Sequence, residues 1–431
     1  MNWFTPRKTR YKPGILHSLL SRPILDEETL SKASSIIESV KTRGDSALIE
    51  YLRDYHGTTS PVRVDESEVE EAYRSVPQRL IDALDKVKER IEKVARDTLP
   101  RGSESMLYPG LITGVKYEPV ERVGVYAPGG LASYPSTVLM TGIPARVAGV
   151  KELYLATPPE ENGRVDPLVL VAADMVGYDE IYRLGGAYAA AALALGTETV
   201  KKVDMIAGPG GKWFTAAKAL LYGRVGVDFL AGPTELFIVA DGSIEASWVA
   251  WDIAAQAEHS PDTTVILAVT SEDYADRVIE ELSRIVARLE TRGVVEESIS
   301  RRGLVLLVED LDEALRAANE YAPEHLYIAV ENPSYRLLSQ ARNTGMITLG
   351  PYAPPALADY STGANHVLPT MGWPRFTGGL TPACFLKPIY YVFTLRDGFR
   401  SACREAVLLS DWEGLKAHKM SVYVRGCDES G

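Results

Sequence analysis

Several features that would assign this chain to a large class of proteins are missing from its sequence. No apolar run approaches the roughly 18 residues of a membrane-spanning helix, and the N-terminal segment MNWFTPRKTRYKPG lacks the apolar core of a signal peptide. The cysteines Cys384, Cys403 and Cys427 are an odd number without a CxxC pair, which argues against thiolate metal ligands and fits a reducing compartment. We therefore predict a soluble protein of the cytoplasm that does not associate with membranes.

Basic stretches are also missing. The 431 residues carry 46 Lys and Arg against 58 Asp and Glu, a net charge of −12, and no long basic run interrupts them. This balance argues against nucleic acid as a partner, and an acidic surface mainly favours solubility. The length allows two or three domains and a large buried core.

No GxGxxG motif is present, although glycine-rich loops follow two of the expected strands. Gly129-Gly130 comes after the strand at 123–126, and the loop Gly208-Pro209-Gly210-Gly211 comes after the strand at 203–207. Both loops would lie at the carboxyl ends of parallel strands, where ligands bind. Neither has the acidic partner that a dinucleotide fingerprint places about twenty residues further on. Taken alone, both loops are better explained as tight turns.

From residue 123 onward, short apolar runs alternate with helical patterns. This alternation predicts βαβ units on parallel sheets, and its two successive series indicate two α/β domains with a cleft between them. The expected fold is α/β, with two incomplete Rossmann-like parallel-sheet domains. The predicted parts are an irregular N-terminal arm (1–22), a helical segment that packs with the second α/β domain (23–104), the first domain (105–234), the second domain (235–380) and a helical C-terminal tail (381–431).

The first candidate site is the end of a predicted helix over 246–258, which contains no Gly or Pro and has apolar residues at helical spacing. Pro261 ends the helix, and a strand is expected over 263–269. Gln256 and His259 are three residues apart and therefore share one face of the last turn. An amide oxygen and an imidazole presented together can form half of a metal site. By themselves they are better explained as an exposed polar turn at a helix C-terminus, since two donors do not define a metal site.

Glu324 and His325 form a second candidate pair, in the run YAPEHLYIAV, between a predicted helix and a predicted strand. An adjacent carboxylate and imidazole supply two proton acceptors of different strength. A surface turn would account for the same residues. Three more polar side chains lie in short motifs further along: Asp359 and His366 in DYSTGANHVLPT, and His418 in GLKAHKM.

Eight segments occur here in one order, over roughly residues 20 to 420. They are GVYAPGG, YPSTVLMTGIPARVAG, VDMIAGPGG, AGPTE, QAEHSPDTTVILAVT, YAPEHL, DYSTGANHVLPT and GLKAHK. In combination these segments resemble the histidinol dehydrogenase family. The resemblance implies oxidation of L-histidinol through the aldehyde to L-histidine, with two NAD and one zinc ion per subunit.

The resemblance also assigns roles to residues. His325 would take the proton of the alcohol, and Glu324 would activate water at the aldehyde stage, while the zinc ion would hold the substrate. The implied zinc ligands are Gln256, His259, Asp359 and His418, an oxygen and nitrogen set that suits zinc. The implied substrate contacts are these four ligands with Ser136, Thr234, His325 and Glu413. The positions of the family's NAD contacts are Tyr126, Tyr188 and Gly211.

In the family the tail crosses to the neighbouring subunit of a homodimer. The segment 381–431 is therefore expected to be swapped between two copies, so that Glu413 and His418 complete the partner's site. Swapping an identical element would make each active site a shared one.

The sequence departs from the family pattern at four positions. Tyr188 stands where many members have Gln, Gly211 where they have Asn, and Thr234 where Ser is common. Pro355 stands where many members carry a Glu close to the substrate's amino group. Two alternatives therefore stay open: a dehydrogenase of the same superfamily acting on another small polar alcohol, and a metal-binding structural or regulatory protein without catalysis.

Overall fold

The computed structural model describes residues 6–16, 25–129 and 133–427. The chain divides into two compact units, the first formed by Met1–Thr98 with Glu121–Cys384 and the second by Leu99–Val120 with Phe385–Gly431. Within the described part of the chain, every helix is too short or too polar to cross a membrane.

The described strands are numbered in chain order. They are β1 (Arg7–Arg10), β2 (Ser103–Tyr108), β3 (Leu111–Pro119), β4 (Arg122–Tyr126), β5 (Glu152–Thr157), β6 (Glu180–Arg183), β7 (Met205–Ala207), β8 (Gly226–Val227), β9 (Glu235–Ala240), β10 (Thr264–Val269), β11 (Gly303–Leu307), β12 (His325–Ala329), β13 (Met346–Leu349) and β14 (Leu386–Thr394).

The described α-helices are numbered in the same way. They are α1 (Glu27–Arg43), α2 (Asp45–His56), α3 (Glu66–Ser75), α4 (Gln78–Asp97), α5 (Pro135–Ala148), α6 (Pro167–Val176), α7 (Gly186–Leu195), α8 (Lys212–Leu221), α9 (Ala246–Ala257), α10 (Glu272–Val286), α11 (Arg292–Arg302), α12 (Leu311–Tyr321), α13 (Tyr335–Gln340), α14 (Pro355–Tyr360), α15 (Arg396–Trp412) and α16 (Lys416–Tyr423).

The first unit contains two parallel sheets, which confirms the predicted α/β class. One sheet has five strands in the order β6-β5-β4-β7-β8, and the other has six in the order β1-β11-β10-β9-β12-β13. Strands β9 and β10 are buried along their whole length. Parallel strands covered on both faces are continuous apolar runs, which is why these strands are easy to recognise in the sequence.

The N-terminal helices pack against the five-stranded sheet, so their predicted packing with the second α/β domain was wrong. Ala33, Val40 and Leu48 belong to one core cluster with Tyr126 of β4 and residues of α7 and α8. The carboxylate of Asp45 accepts hydrogen bonds from the hydroxyls of Thr197 and Thr199, at 2.5 Å from Thr197. Helix periodicity shows which face of a helix is buried, but not which sheet receives it.

The predicted irregular arm is not irregular throughout. Residues 7–10 form β1, which adds a parallel edge strand to β11, with Arg7 opposite Leu304. Its side chains are mostly exposed and charged. An edge strand of this composition has no apolar alternation, so no local pattern predicts it.

The second unit corrects two further predictions. Residues 386–394 form β14, which pairs antiparallel with β3, and β3 pairs antiparallel with β2. In the described part of the tail, α-helix is confined to α15 and α16, with a short 3-10 helix at Pro382–Phe385. Residues 105–120 belong with the tail rather than with the first parallel sheet. Strands so far apart in sequence pair through contacts that no local pattern reveals.

Two of the three cysteines form a disulfide in the second unit. Cys403 in α15 is bonded to Cys427, 24 residues later, and both pack with Val407 in a small apolar cluster. The thiol of Cys384 is free. Cysteine usage therefore no longer supports a reducing compartment, because an odd number of cysteines does not prevent one pair from forming.

Candidate active site

The first unit encloses a cavity of about 710 Å³, with walls from both parallel sheets. One wall consists of glycine-rich loops after the carboxyl ends of β4 and β7, and the other consists of junctions at the amino ends of β9, β10 and β12. Eight of the predicted site residues line it: Ser136, Gly211, Thr234, Gln256, His259, Glu324, His325 and Asp359.

Helix α9 presents Gln256 and His259 to the cavity. The helix ends at Ala257, and the amide of His259 donates to the carbonyl of Gln256 at 3.2 Å. This last turn places both side chains on one face, as their spacing predicts. Gln256 is buried, and its Nε2 lies 3.4 Å from Asp359 Oδ2, to which it donates. His259 is exposed to the cavity, where the surrounding protein lowers its pKa by desolvation.

A tight junction between α12 and β12 carries Glu324. The helix ends at Tyr321, and the next residue, Ala322, has a left-handed φ of 56°, a conformation that a non-glycine residue keeps only when its surroundings enforce it. Glu324 Oε2 accepts a hydrogen bond from the amide of Glu235 at 3.0 Å. Burial raises the pKa of Glu324 well above its ordinary value, since desolvation disfavours the charged form. Once deprotonated, this carboxylate is a strong base.

His325 begins β12 and is almost completely buried. Its pKa is lowered to about 3, first by burial and then by the neighbouring His366 and His259. His325 is therefore neutral at physiological pH and can accept a proton. Its Nε2 lies 3.9 Å from Asp359 Oδ1, which is too far for a hydrogen bond.

Asp359 lies near the end of α14. Burial raises its pKa to about 7, and the hydrogen bond from Gln256 opposes this shift. A carboxylate in such a place is stabilised in its charged form by a cation.

The oxygen and nitrogen donors on this wall fit a metal ion. Gln256 Oε1 and Asp359 Oδ1 are buried and have no hydrogen-bond partner among the described residues. Buried polar atoms are nearly always satisfied, so two unsatisfied oxygens on adjacent side chains indicate a missing ligand. Across residues 6–16, 25–129 and 133–427, no three or more His, Cys, Asp and Glu side chains cluster closely enough to hold a metal. This unit supplies only one imidazole, one carboxylate and one amide of the predicted set, because His418 belongs to the other unit.

His366 is the site residue for which sequence reasoning gave no role. It lines the cavity, its Nδ1 lies 2.7 Å from the carbonyl of Asp359, and its Nε2 lies 3.1 Å from Thr137 Oγ1. Burial lowers its pKa to about 4. These contacts hold the loop of Asp359 against α5. The signal in the sequence was its position seven residues after Asp359, within one polar loop.

The loop from Gly208 to Gly211 forms the opposite wall with Pro128 and Gly129. Gly208 has a φ of 112°, and a Cβ there would lie only 2.3 Å from the carbonyl oxygen of Tyr126. A Cβ at Gly211 would meet nothing within 4 Å. A glycine is thus required at position 208, because the chain there lies against the end of β4. At position 211 there is room for a side chain. Gly130 lies outside the described residues.

Two predicted cofactor contacts are not on the cavity wall. Tyr126 is buried, its hydroxyl accepts from the amide of Gly186 at 3.2 Å, and its ring stacks on Phe214. Tyr188 stacks on Tyr51 with ring centroids 4.5 Å apart. In this structure both rings contribute to the packing of the first unit.

The remaining predicted site residues, Glu413 and His418, belong to the second unit. Glu413 follows α15 directly, His418 lies in α16, and both side chains are exposed. The cavity, by contrast, is lined by residues of the first unit.

Comparison with known proteins adds independent evidence. The sequence profile of the family described as Histidinol dehydrogenase matches residues 21–426. The chain is 42% identical over 408 residues to the histidinol dehydrogenase of Methanothermobacter thermautotrophicus, covering 94% of this chain and 96% of that protein. It is 43% identical over 420 residues to that of Methanopyrus kandleri, covering 95% and 97%. The crystal structure of histidinol dehydrogenase from Elizabethkingia anophelis superposes with a TM-score of 0.93 at 31% identity, covering 97% of this chain and 98% of that one.

Proposed function

The chain belongs to the histidinol dehydrogenase family, and on that premise we propose that it oxidises L-histidinol to L-histidine with two NAD and one zinc ion per subunit. The observation that carries this proposal is the pairing of Glu324 with His325 at the amino end of β12, beside the unsatisfied oxygens of Gln256 and Asp359. Acid–base residues next to donors that suit zinc match the chemistry of an alcohol oxidation followed by an aldehyde oxidation.

His325 acts in the first half-reaction. Its neutral imidazole accepts the hydroxyl proton while the carbinol C–H bond breaks, and the alcohol becomes an aldehyde. NAD, when bound, accepts the hydride in each half-reaction. Because its pKa is low, His325 binds the proton only briefly and releases it readily to solvent.

Glu324 acts in the second half-reaction. Its carboxylate removes a proton from water as the water oxygen attacks the aldehyde carbon, and the hydrate then loses a hydride to become the carboxylic acid. The raised pKa of Glu324 makes it a strong base for this step. The hydrogen bond from the amide of Glu235 fixes the orientation of the carboxylate.

Gln256, His259 and Asp359 would hold the zinc ion, with His418 as the fourth protein ligand. Zinc, when bound, supplies a positive centre that orients the polar groups of the substrate. Ser136 and Thr234 line the same cavity and offer hydroxyl groups to the substrate. Thr234 retains the hydroxyl of the serine that is common in the family.

A homodimer with shared sites accounts for the exposed apolar side chains of both units. On the first unit, Trp248, Trp251 and Tyr352 are exposed around α9. On the second, Leu409 and Trp412 are exposed on α15, and Trp412 is 92% exposed. Exposed patches of this kind mark interaction surfaces, and we propose that the tail of a second copy covers the outer face of α9. Its Glu413 and His418 would then complete the site.

The direct test of the activity is to count the NADH formed per L-histidinol consumed by zinc-loaded protein. Two NADH per histidinol is expected. One NADH with accumulation of the aldehyde would contradict the role of Glu324. No turnover of any alcohol would favour a metal-binding protein without catalysis.

A second candidate, the oxidation of another small polar alcohol, rests on Pro355. This residue is buried at the start of α14 and carries no charge toward an amino group. Parallel assays with simple diols separate the two candidates. A diol oxidised with a higher kcat/KM than histidinol would favour the second.

The shared site is tested by mixing two inactive variants, Glu324→Ala and His418→Ala, under conditions where subunits exchange. In a mixed dimer one site receives both defects and the other receives neither. With random exchange half of the dimers are mixed, so about a quarter of the wild-type activity should return. Confirmed exchange of differently tagged subunits without any return of activity would show that His418 acts within its own chain.

A further inference from the structure

A buried ion pair lies behind the glycine-rich wall of the cavity. Lys218 of α8 donates to Asp228 Oδ1, and their side chains are 2% and 0% exposed. Taking two charges out of water costs several kcal/mol per ion in typical proteins, and one ion pair does not offset this cost unless further hydrogen bonds satisfy both groups. The groups that form these further hydrogen bonds therefore show which part of the chain the Lys218–Asp228 ion pair holds in place.

Both charged groups bind the backbone of Gly208. Lys218 Nζ donates to the carbonyl of Gly208 at 3.1 Å, and Asp228 Oδ2 accepts from its amide at 2.8 Å. Gly208 is the residue whose left-handed φ brings the chain within contact of Tyr126. The ion pair thus fixes the first residue of the loop that leads to Gly211 and the cavity.

Thr215 extends this arrangement to a second loop. It lies three residues before Lys218 on α8, so the two side chains share one face of the helix. Its hydroxyl lies 2.8 Å from the carbonyl of Ala231 and 3.2 Å from that of Gly210. The segment from Asp228 to Ala231 leads directly to Thr234 on the cavity wall. One face of α8 therefore holds the glycine-rich loop and the loop of Thr234 in register.

We propose that Lys218 is a positioning residue for dinucleotide binding, which it supports by clamping Gly208 through its ion pair with Asp228. The inference rests on the proposed function, because it requires that the glycine-rich wall receives NAD. Lys218 does not line the cavity and acts only through the backbone that it holds. Its loss should weaken cofactor binding more than it weakens the metal site or the catalytic step.

The test is a fluorescence titration of zinc-loaded protein with NADH, for wild type and Lys218→Met. Methionine keeps most of the volume but removes both hydrogen bonds and the charge. The dissociation constant for NADH should rise at least tenfold, and KM for NAD should rise in parallel. Zinc affinity, measured by competition with a chromogenic chelator, and kcat at saturating NAD should change less than threefold.

A matched control separates positioning from stability. Arg183 of β6 is as deeply buried, pairs with Glu68, and donates to the carbonyls of Pro61 and Arg63, but none of these partners belongs to a loop of the cavity wall. Arg183→Met should lower the melting temperature and leave the dissociation constant for NADH within twofold of wild type. If Lys218→Met lowers only the melting temperature and binds NADH like wild type, Lys218 has no positioning role.

Thr215→Val keeps the inference testable if Lys218→Met does not fold. This substitution removes one hydroxyl at nearly constant volume and leaves the ion pair in place. Thr215 itself lines the cavity, so Thr215→Ser, which keeps the hydroxyl and its two carbonyl partners, is the control. Thr215→Val should raise the dissociation constant for NADH threefold or more and Thr215→Ser should not, and an unchanged value for Thr215→Val would contradict the coupling of the two loops. If wild-type protein does not bind NADH, the proposed use of NAD is wrong, and this inference fails with it. NADH binding by wild type with unchanged binding by both variants overturns the inference alone.

Discussion

The two parallel sheets of the first unit contribute to the cavity in opposite ways. The five-stranded sheet presents the carboxyl ends of β4 and β7, followed by glycine loops whose backbone lies against the cavity. The six-stranded sheet presents the amino ends of β9, β10 and β12, where Thr234, His259 and Glu324 supply side chains. Backbone amides suit a phosphate-bearing ligand, and side chains with shifted pKa values suit proton transfer.

On the proposed function, this difference separates cofactor binding from proton transfer. In α/β proteins, ligands usually bind at the carboxyl ends of the strands, and only the five-stranded sheet follows that rule here. On the six-stranded sheet, helices α9 and α12 end at the cavity, and their C-terminal turns position Gln256 and Glu324. The negative end of a helix dipole at this wall would favour the cation that the proposed function requires.

Removal of the metal should have the largest effect, and it should affect the two walls of the cavity differently. The first unit has a large apolar core in several clusters, so its folding does not depend on one ion. Chelation should abolish turnover and leave the far-UV circular dichroism unchanged. NADH binding at the other wall should persist in the chelated protein. Cooperative unfolding on chelation would identify the metal as structural.

Substitutions of Glu324 and of His325 should slow different half-reactions. Glu324→Gln should slow aldehyde oxidation about 10²–10⁴-fold and slow alcohol oxidation much less, because only the aldehyde step needs an activated water. His325→Asn should impair the alcohol step by a similar factor. Stopped-flow measurement of each half-reaction, with NADH binding as a control, checks both. Equal slowing of both half-reactions by both variants would refute this division of roles.

Substitutions in the glycine-rich wall should change the affinity for NADH rather than the rates of the two half-reactions. Gly208→Ala places a Cβ against the carbonyl oxygen of Tyr126 and enforces a strained φ, so the loop must move. We expect the dissociation constant for NADH to rise about tenfold, equivalent to about 1.4 kcal/mol. Gly293→Ala in α11 is the control, because Gly293 does not line the cavity, has open space around its Cβ and has an ordinary φ, so the variant should bind NADH like wild type. Equal effects of the two variants would mean that the loop backbone does not determine binding.

The disulfide in the second unit should affect stability alone, with no effect on cofactor binding or catalysis. It closes the chain from Cys403 to Cys427, a segment that contains Glu413 and His418. Closure of a loop of this length stabilises by about 3 kcal/mol through the unfolded state. Cys403→Ser should therefore lower the melting temperature, and reductant should have the same effect on wild type. The variant itself should not respond to reductant, and a response there would point to Cys384 instead.

The last predicted effect depends on pH and concerns Asp252, one turn before Gln256 on α9. Burial raises its pKa to about 7, so the folded protein keeps a proton that the unfolded chain loses above its ordinary pKa of 3.8. Stability is therefore lost as pH rises from about 4 to about 7.

Asp252→Asn removes this penalty. It should stabilise the metal-free protein by about 2 kcal/mol at pH 8, below the full value of the shift because the carboxyl is partly accessible to solvent. At pH 4 the difference should nearly vanish. Urea unfolding at both pH values checks it, with Asp273→Asn, an exposed aspartate on α10, as the control. An equal gain at both pH values would exclude ionisation as the cause.

The sequence by itself determined the α/β class and most elements of the first unit. The helix predicted over 246–258 ends one residue earlier in the structure, at Ala257, and the strand expected over 263–269 begins one residue later, at Thr264. These segments are long or fully buried, so their apolar periodicity and their end signals are local. The residue types of the candidate site were also readable, because Gln256 with His259 and Glu324 with His325 lie close together in sequence.

Only the tertiary structure decided which distant segments meet. It joined β14 to β3, paired Cys403 with Cys427, and placed the N-terminal helices on the five-stranded sheet. It also brought the carboxyl ends of one sheet and the amino ends of the other to one cavity. Periodicity reports which face of an element is buried, whereas the partner of that face depends on the packing of the whole chain.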